Sequence, residues 1–536
     1  MPLPRPSRRH AARLLAGATL AMVMAAPAAT GSHGRAGASD RWDAAAAPTA
    51  VVGYRTRADL ARTLRAYPGV VLRTIPALGV AEILPRTPPR DFAQAAGRMG
   101  GIEYVEPPVL RTSDADQALQ AASTTLPGGV LEWQYPAVHL DLVPDAVKRA
   151  AASVTIAVID TGADLTAPDI GVKAPLTYSV VGGGHDVRDT VGHGTFVSAL
   201  AAGSDTNGDG IAGFGGSAKL MVVQASRTQT SFTDVDEAAA VVWAVDHGAR
   251  IINLSLGGPD TSTTERSAIA YAVKHGVLVV AAIGNEHDES NPVEYPAALV
   301  QPVGSSGKVG SGLSVGASDD TGARAGFSNT GSHLSLVAPG VDVLSAISST
   351  APDAGYVRTP LPGSAAGEYA FGSGTSFAAP EVSGVAALVW AANPRLSAQQ
   401  VARILQESAS NRGRWNPDTG YGVIDAAAAV QTATSQATAG AAPATLSLSA
   451  TATRGKGPLT FSVQAALSPA AASRTVTLEA YTGGHWQQTT SGKTNSEGKT
   501  TWQFALDRGV YRIRARFAGD ATIRAALSRT VSVTVS

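Results

Sequence analysis

FGSGTSFAAPEVSGVAALVW, residues Phe371 to Trp390, joins a glycine-containing turn to an almost uncharged helical run. Ala378, Ala379, Gly384, Ala386 and Ala387 are all small, so neighbouring backbones can approach this helix from every side. Such a helix suits burial against a sheet. Gly372 and Gly374 allow a sharp entry turn, Pro380 is expected in the first helical turn where its missing N–H does no harm, and Asn393-Pro394 supplies the stop. Thr375 and Ser376 thereby sit at the positive N-terminal end. Hydroxyls there commonly cap the helix, and the stretch alone leaves a cap and a rigidly presented nucleophile equally open.

Outward from that helix, the runs TIAVID, KLMVVQA, RIINLSL, VLVVAAIG, LSVGAS and LSLVAPG are short and uninterrupted, as strands buried on both faces should be. Helical patterns such as TDVDEAAAVVWAVDHGA and TTERSAIAYAVKHG lie between them. The alternation predicts an α/β unit, a mostly parallel sheet with helices on both faces. Chemistry in such folds collects beyond the carboxyl ends of the strands. The first run ends in Asp160-Thr161-Gly162, where a carboxylate either has a partner or serves a turn. His193 opens a helix between Gly192 and Gly194, which should leave the imidazole accessible and let other groups approach its backbone. Asn285 follows Gly284 at another strand end, as a turn residue or as an amide aimed at a developing oxyanion.

Carboxylate, imidazole, amide and hydroxyl thus come in the order Asp160, His193, Asn285, Ser376. Over about residues 130 to 430 the motifs IAVIDTGADLTAPDI, GHGTFVSALAAG, NLSLGG, VLVVAAIGN, FSNTG, VAPG and GTSFAAPEVSGVAAL resemble the subtilisin (subtilase) family of serine proteases. The resemblance implies a serine endopeptidase with Ser376 as nucleophile, His193 as base, Asp160 as its orienter and Asn285 as oxyanion donor. It also implies that Ser255, Leu256 and Gly257 pair with extended peptide, and that Ala281, Ala282 and Ile283 wall a roomy primary pocket. Glu286 resembles a pocket-rim acid of some relatives, and is equally readable as a solvated loop charge. Structural calcium is the implied cofactor, with Asp169 as a ligand and Asn207 and Asp209 in the loop DTNGDG. Two positions depart from the family: Phe196 stands where a second His is common, and Ala167 where His often precedes Pro-Asp. Tuned packing is the expected consequence.

The flanks complete the organisation. Residues 1–29 read as an export signal, with arginines, an apolar run and then small residues, and 30–49 as a linker. Residues 50–110 follow a βαββαβ order, predicting a ferredoxin-like domain, and its ending Ile102-Glu103-Tyr104-Val105-Glu106-Pro107 resembles the end of a subtilisin-type propeptide, an inhibitor and folding chaperone. Residues 111–130 lack periodicity and read as the excisable joint. The catalytic unit spans 131–430, a linker 431–443, and 444–536 alternate over about seven short runs, predicting an immunoglobulin-like β-sandwich. There Trp486, Trp502 and Tyr511 read as packing rather than as a sugar platform.

The 536 residues contain no cysteine, which excludes disulfides, thiolate catalysis and Cys-ligated metals. Lys+Arg and Asp+Glu balance at 42 each, so no nucleic-acid partner is implied. No run reaches transmembrane length. A secreted or wall-associated monomer acting on peptides and proteins, with its own propeptide as inhibitor, is the expectation. Two readings compete: a protease-dead binding protein, which the intact residue set opposes, and an α/β-hydrolase esterase. Gly374-Thr375-Ser376-Phe377-Ala378 lacks the second glycine of that fold's nucleophile elbow.

Overall fold

The computed structural model describes residue 42 and residues 48–536, except 113–131, 174, 205–209, 227–230, 309, 352–355, 360, 362–368, 439–441, 483–484 and 521. The expected export signal, most of the joint, and Asn207 and Asp209 lie outside the described residues.

The first unit has the predicted order: β1 (Ala50–Tyr54), α1 (Arg57–Ala66), β2 (Gly69–Ile75), β3 (Val80–Pro85), α2 (Pro89–Ala96) and β4 (Ile102–Glu106). Thr56 caps α1 by accepting from Asp59 N at 3.2 Å, and Pro89 occupies the first position of α2. The antiparallel sheet runs β2-β3-β1-β4. Alternation along β1 sends Val52 toward Phe92 and the helices, while Val51 joins Ile75 and Val80 on the opposite face. That second face packs on the large unit, so β1 is buried throughout.

After the three-residue strand β5 (Leu110–Thr112), the large unit is a seven-stranded parallel sheet. Its strands are β6 (Thr155–Asp160), β7 (Leu176–Ser179), β8 (Lys219–Gln224), β10 (Ile251–Leu254), β11 (Leu278–Ala282), β12 (Leu313–Ser318) and β13 (Leu336–Pro339), in the order β13-β12-β11-β10-β6-β8-β7. Strand order reverses at the β6/β10 boundary, where a parallel sheet opens a crevice at its carboxyl edge. Four helices frame that crevice: α3 (His193–Ala202), α4 (Asp234–Asp246), α5 (Thr263–Lys274) and α6 (Thr375–Ala392). Every residue of α6 from Thr375 to Trp390 is buried, as its small side chains predict.

Two local expectations change. α6 begins at Thr375, so Pro380 lies in its second turn rather than its first. A proline there leaves the Ser376 carbonyl without its i+4 helical donor. Ser255 Oγ supplies the replacement, donating to Ser376 O at 2.7 Å. The second change concerns Arg111 and Thr112, read as part of an irregular joint. They form β5 because β9 (Ser231–Thr233) and Gly257 pair with it from either side, partners that no local pattern reveals.

Beyond α7 (Ala398–Ser408) and α8 (Ala426–Thr438), residues 445–535 form an all-β sandwich. One sheet carries Thr445–Ala450, Leu459–Ser468 and Lys499–Leu506; the other carries Thr475–Thr482, His485–Lys493, Gly509–Phe517 and Val531–Val535. Trp502 packs against both of its apolar clusters, and Trp486 lies under the Arg514 guanidinium at 4.2 Å, so both serve packing between strands. Tyr511 donates to Asp507 O at 3.2 Å.

Candidate active site

Asp160 ends β6 and His193 begins α3. His193 Nδ1 lies 2.8 Å from Asp160 Oδ1; an ionised carboxylate only accepts, so Nδ1 carries the proton and Nε2 is the basic nitrogen. Asp160 Oδ1 also accepts from Thr161 N at 2.7 Å. The expected accessible imidazole is instead fully buried, tilted against Phe377 with ring centres 5.7 Å apart. Its glycines do the other work expected of them. Gly192 has φ +98°, and Gly194 lets the Gly162 carbonyl come where a Cβ would stand.

The loop before His193 hangs on Asp189, which the sequence reading missed. Its Oδ1 accepts from Thr161 Oγ1, Val191 N and Gly192 N, and its Oδ2 from Thr195 N and Thr195 Oγ1, all within 3.0 Å. Thr161 Oγ1 in turn accepts from Gly194 N at 2.8 Å. One buried carboxylate thus ties the ends of β6 and α3 together. An Asp three residues before a glycine is the local signal, shared with any Asx turn.

Ser376 is the second residue of α6 and caps nothing. The N-cap is Gly374, with no side-chain cap bond, and the Ser376 hydroxyl lies 3.4 Å from Ser255 O. A buried chain underlies it: Ser383 Oγ donates to Asn253 Oδ1, Asn253 Nδ2 to Ser255 Oγ, and Ser255 Oγ to Ser376 O, each within 2.9 Å. Asn285 Oδ1 accepts from Thr375 N at 2.9 Å, which fixes the amide's orientation because a backbone N–H can only donate. Its Nδ2 is buried without a partner among the described residues. A point one bond off Gly374 Cα lies 3.6 Å from that Nδ2 and 3.7 Å from Ser376 N. Two N–H groups that could donate to one oxygen therefore lie within 3.7 Å of a single point.

Ser255, Leu256 and Gly257 follow β10. Gly257 exchanges both backbone bonds with Thr112, each 3.0 Å, while β5 pairs on its other edge with β9. Ala281, Ala282 and Ile283 are buried where β11 ends. Glu286 turns inward, Oε2 accepting from Asn285 N at 2.8 Å and Asn329 Nδ2 at 2.9 Å, so it braces the Asn285 turn. Glu294, another residue missed, is buried with its carboxylate where a side chain on either Gly257 or Gly284 would collide with it. Only folding reveals that acid: eight residues past Glu286, it returns through the pairing of Tyr295 with Gly258.

Asp169 is buried; its Oδ2 accepts from Tyr369 OH at 3.1 Å and Ile211 N at 3.3 Å. Glu132 Oε1 accepts from Ala212 N at 3.1 Å, and burial, then the Asp169 charge, pushes its carboxyl up to about 7. Among the described residues no group of three or more His, Cys, Asp or Glu could hold a metal ion. Phe196 is buried against Phe377, ring centres 4.2 Å apart, a packing role in place of a second imidazole. No helix among the described residues is long and apolar enough to cross a membrane.

Similarity to known proteins centres on the large unit. The subtilase family model matches residues 151–423. M-protease of Shouchella clausii (strain KSM-K16) is 34% identical over 325 residues, covering 60% of this chain and 75% of that protein. Subtilisin Savinase of Lederbergia lenta is 34% identical over 308 residues, 57% of this chain and 99% of that protein. A thermophilic serine proteinase of Bacillus sp. (strain AK1) is 36% identical over 245 residues, 45% of this chain and 53% of that protein. Among solved structures, fervidolysin from Fervidobacterium pennivorans, a keratinolytic enzyme related to subtilisin, superposes with TM-score 0.60 at 25% identity, covering 88% of this chain and 70% of that one. The chain belongs to the subtilase family of serine endopeptidases.

Proposed function

We propose that the chain is the zymogen of a secreted serine endopeptidase whose first unit occupies its own substrate groove. The observation that carries this reading is the Thr112–Gly257 ladder. An extended stretch of the chain itself, Leu110–Thr112, pairs with Gly257, two residues past Ser255, whose carbonyl is 3.4 Å from the Ser376 hydroxyl. The docking is broad: Glu106 accepts from Thr263 N and Thr264 N at the start of α5, and Arg73 pairs with Asp236 at 2.6 Å at the start of α4. The export reading rests on residues 1–29 and the excision reading on residues 111–130. Mass spectrometry of protein from the culture medium tests both, and an uncut chain confined to cells would overturn them.

Ser376 Oγ attacks the scissile carbonyl carbon while His193 Nε2 takes its proton. The carbonyl electron pair moves onto oxygen, which receives hydrogen bonds from Asn285 Nδ2 and Ser376 N–H. Collapse expels the amine, protonated by His193, and water repeats the cycle on the acyl-enzyme. Asn285→Ala is expected to lower kcat by about 10²–10³ with KM little changed, a magnitude carried over from subtilisin itself. An unchanged kcat for peptide hydrolysis would remove Asn285 from this role.

Glu294 gives the primary pocket an acidic base, favouring Lys or Arg before the scissile bond. The motivating observation is its carboxylate's place between Gly257 and Gly284. Tetrapeptides differing only at that position should show kcat/KM for Lys above that for Phe, and Glu294→Gln should remove the difference by about tenfold. Equal Lys/Phe ratios in parent and variant would remove Glu294 from the pocket and leave the roomy one walled by Ala281, Ala282 and Ile283.

Calcium suits hard oxygen donors such as the buried Asp169 carboxylate and the half-buried Glu132, joined by those of the 205–209 loop. Asp169, Glu132 and the loop's Asn207 and Asp209 would hold it and brace the segment before α3. Melting in excess chelator should come several degrees below melting in calcium, since a ligand at 100 Kd stabilises by about 2.7 kcal/mol. Identical Tm values would dismiss the ion.

A further inference from the structure

Arg111 is among the largest fully buried side chains, although it belongs to a three-residue strand outside the main sheet. Its neighbour Leu110 is 61% exposed, so alternation along the strand drives Arg111 alone into the large unit. There Nη2 lies 2.7 Å from Glu265 Oε2, and Nε lies 3.2 Å from Glu265 Oε1 and 3.6 Å from Glu237 Oε2. Glu237 and Glu265 come from the first turns of α4 and α5 and are both buried. Thr261 Oγ1 donates to Glu265 Oε2 at 2.6 Å, and Asp234 Oδ1 accepts from Val109 N at 2.8 Å. Two buried carboxylates facing one another repel unless a cation joins them. Burial and then the Glu265 charge hold the Glu237 carboxyl well above its ordinary value, against the opposing pull of Arg111.

The register fixes what this position means for a substrate. In an antiparallel ladder the pairs that exchange both backbone bonds recur every two residues. Thr112 makes such a pair with Gly257, so in a substrate bound in this register the residue two places further on would stand opposite Ser255, whose carbonyl is 3.4 Å from the Ser376 hydroxyl. With that residue as P1, the position of Thr112 is P3 and that of Arg111 is P4.

We propose that Glu237 and Glu265, with Asp234 beside them, form a substrate subsite that selects arginine four residues before the cleaved bond. The inference rests on the reading of Ser376 as nucleophile. In the intact chain Arg111 fills the subsite; once the first unit is released, the same carboxylates receive arginine from peptide substrates. The planar guanidinium can engage both glutamates, which a lysine ammonium does less well.

The test uses matured enzyme and fluorogenic peptides X-Ala-Ala-Phe and X-Ala-Ala-Lys, with X as Arg, Lys, Leu or Ala. Arginine is expected to raise kcat/KM about tenfold or more over leucine and alanine, with lysine between, the size of a lost charge-assisted hydrogen bond. In Glu237→Gln/Glu265→Gln the Arg:Leu ratio should fall to about one or below. Equal rates for Arg and Leu in the parent enzyme overturn the subsite, a result that needs no variant to fold. Failure of the nucleophile reading looks different: no peptide is cut, or cutting persists without the Ser376 hydroxyl.

Discussion

Ser376→Ala leaves the full-length chain uncut and lowers peptide hydrolysis by about a millionfold, the loss known for the nucleophile of subtilisin and carried over to this relative. The structure says why the loss should be chemical rather than a failure to fold. The hydroxyl's contact is a 3.4 Å approach to Ser255 O, too long to contribute much stability. The bonds that hold the turn use the backbone and its neighbours: Ser255 Oγ to Ser376 O, and Thr375 N to Asn285 Oδ1. Alanine keeps all of these. The variant's Tm should therefore stay within a few degrees of an unprocessed parent, while intact-mass analysis over days shows no excision. A fluorophosphonate should label the parent at Ser376 and leave the variant unlabelled. Continued self-cleavage in the variant would sink the assignment. So would an additive further loss in Ser376→Ala/His193→Ala, because two groups acting as one unit cannot each be lost twice.

The architecture was legible where local pattern and burial agree. Thr155–Asp160 and Leu278–Ala282 are short apolar runs because both their faces are covered, and the period-2 runs after residue 444 became sandwich strands. Asp160, His193, Asn285 and Ser376 stood out because each ends a strand or opens a helix. What stayed hidden depends on pairing between distant segments. Asp189 carries no local signal beyond that of an Asx turn, and its five hydrogen bonds join segments apart in the chain. Arg111 lay in a stretch without periodicity, and its strand exists only because Ser231–Thr233 and Gly257 flank it. Pro380 was misplaced by one turn because the helix start depends on a bond from Ser255, 121 residues away. Glu294 reaches Gly257 and Gly284 only through the pairing of Tyr295 with Gly258, which no local pattern announces.

Asp160→Asn is the second large effect, a fall in kcat of about 10⁴ with substrate binding nearly intact. Asp160 Oδ1 accepts two hydrogen bonds, from His193 Nδ1 at 2.8 Å and from Thr161 N at 2.7 Å. An asparagine matches the carboxylate in size, so β6 and the Asp189-braced loop should keep their shape. Its amide can meet the ring in two ways, and both fail. With its oxygen toward Nδ1 it leaves the imidazole in the right tautomer but offers no negative charge to the imidazolium formed as Ser376 loses its proton. With its NH₂ toward Nδ1 it forces the proton onto Nε2, where the ring can no longer accept one. The serine is then left without a base, though the donors from Asn285 and the backbone remain, so residual hydrolysis should stay well above that in water. Steady-state kinetics decides the point: kcat within tenfold of the parent would mean that Asp160 serves the turn before Gly162 and not the imidazole. A large rise in KM at unchanged kcat would place the damage in the groove. The expected pattern, kcat lost and KM kept, arises because the carboxylate's charge is used only while the proton is on His193.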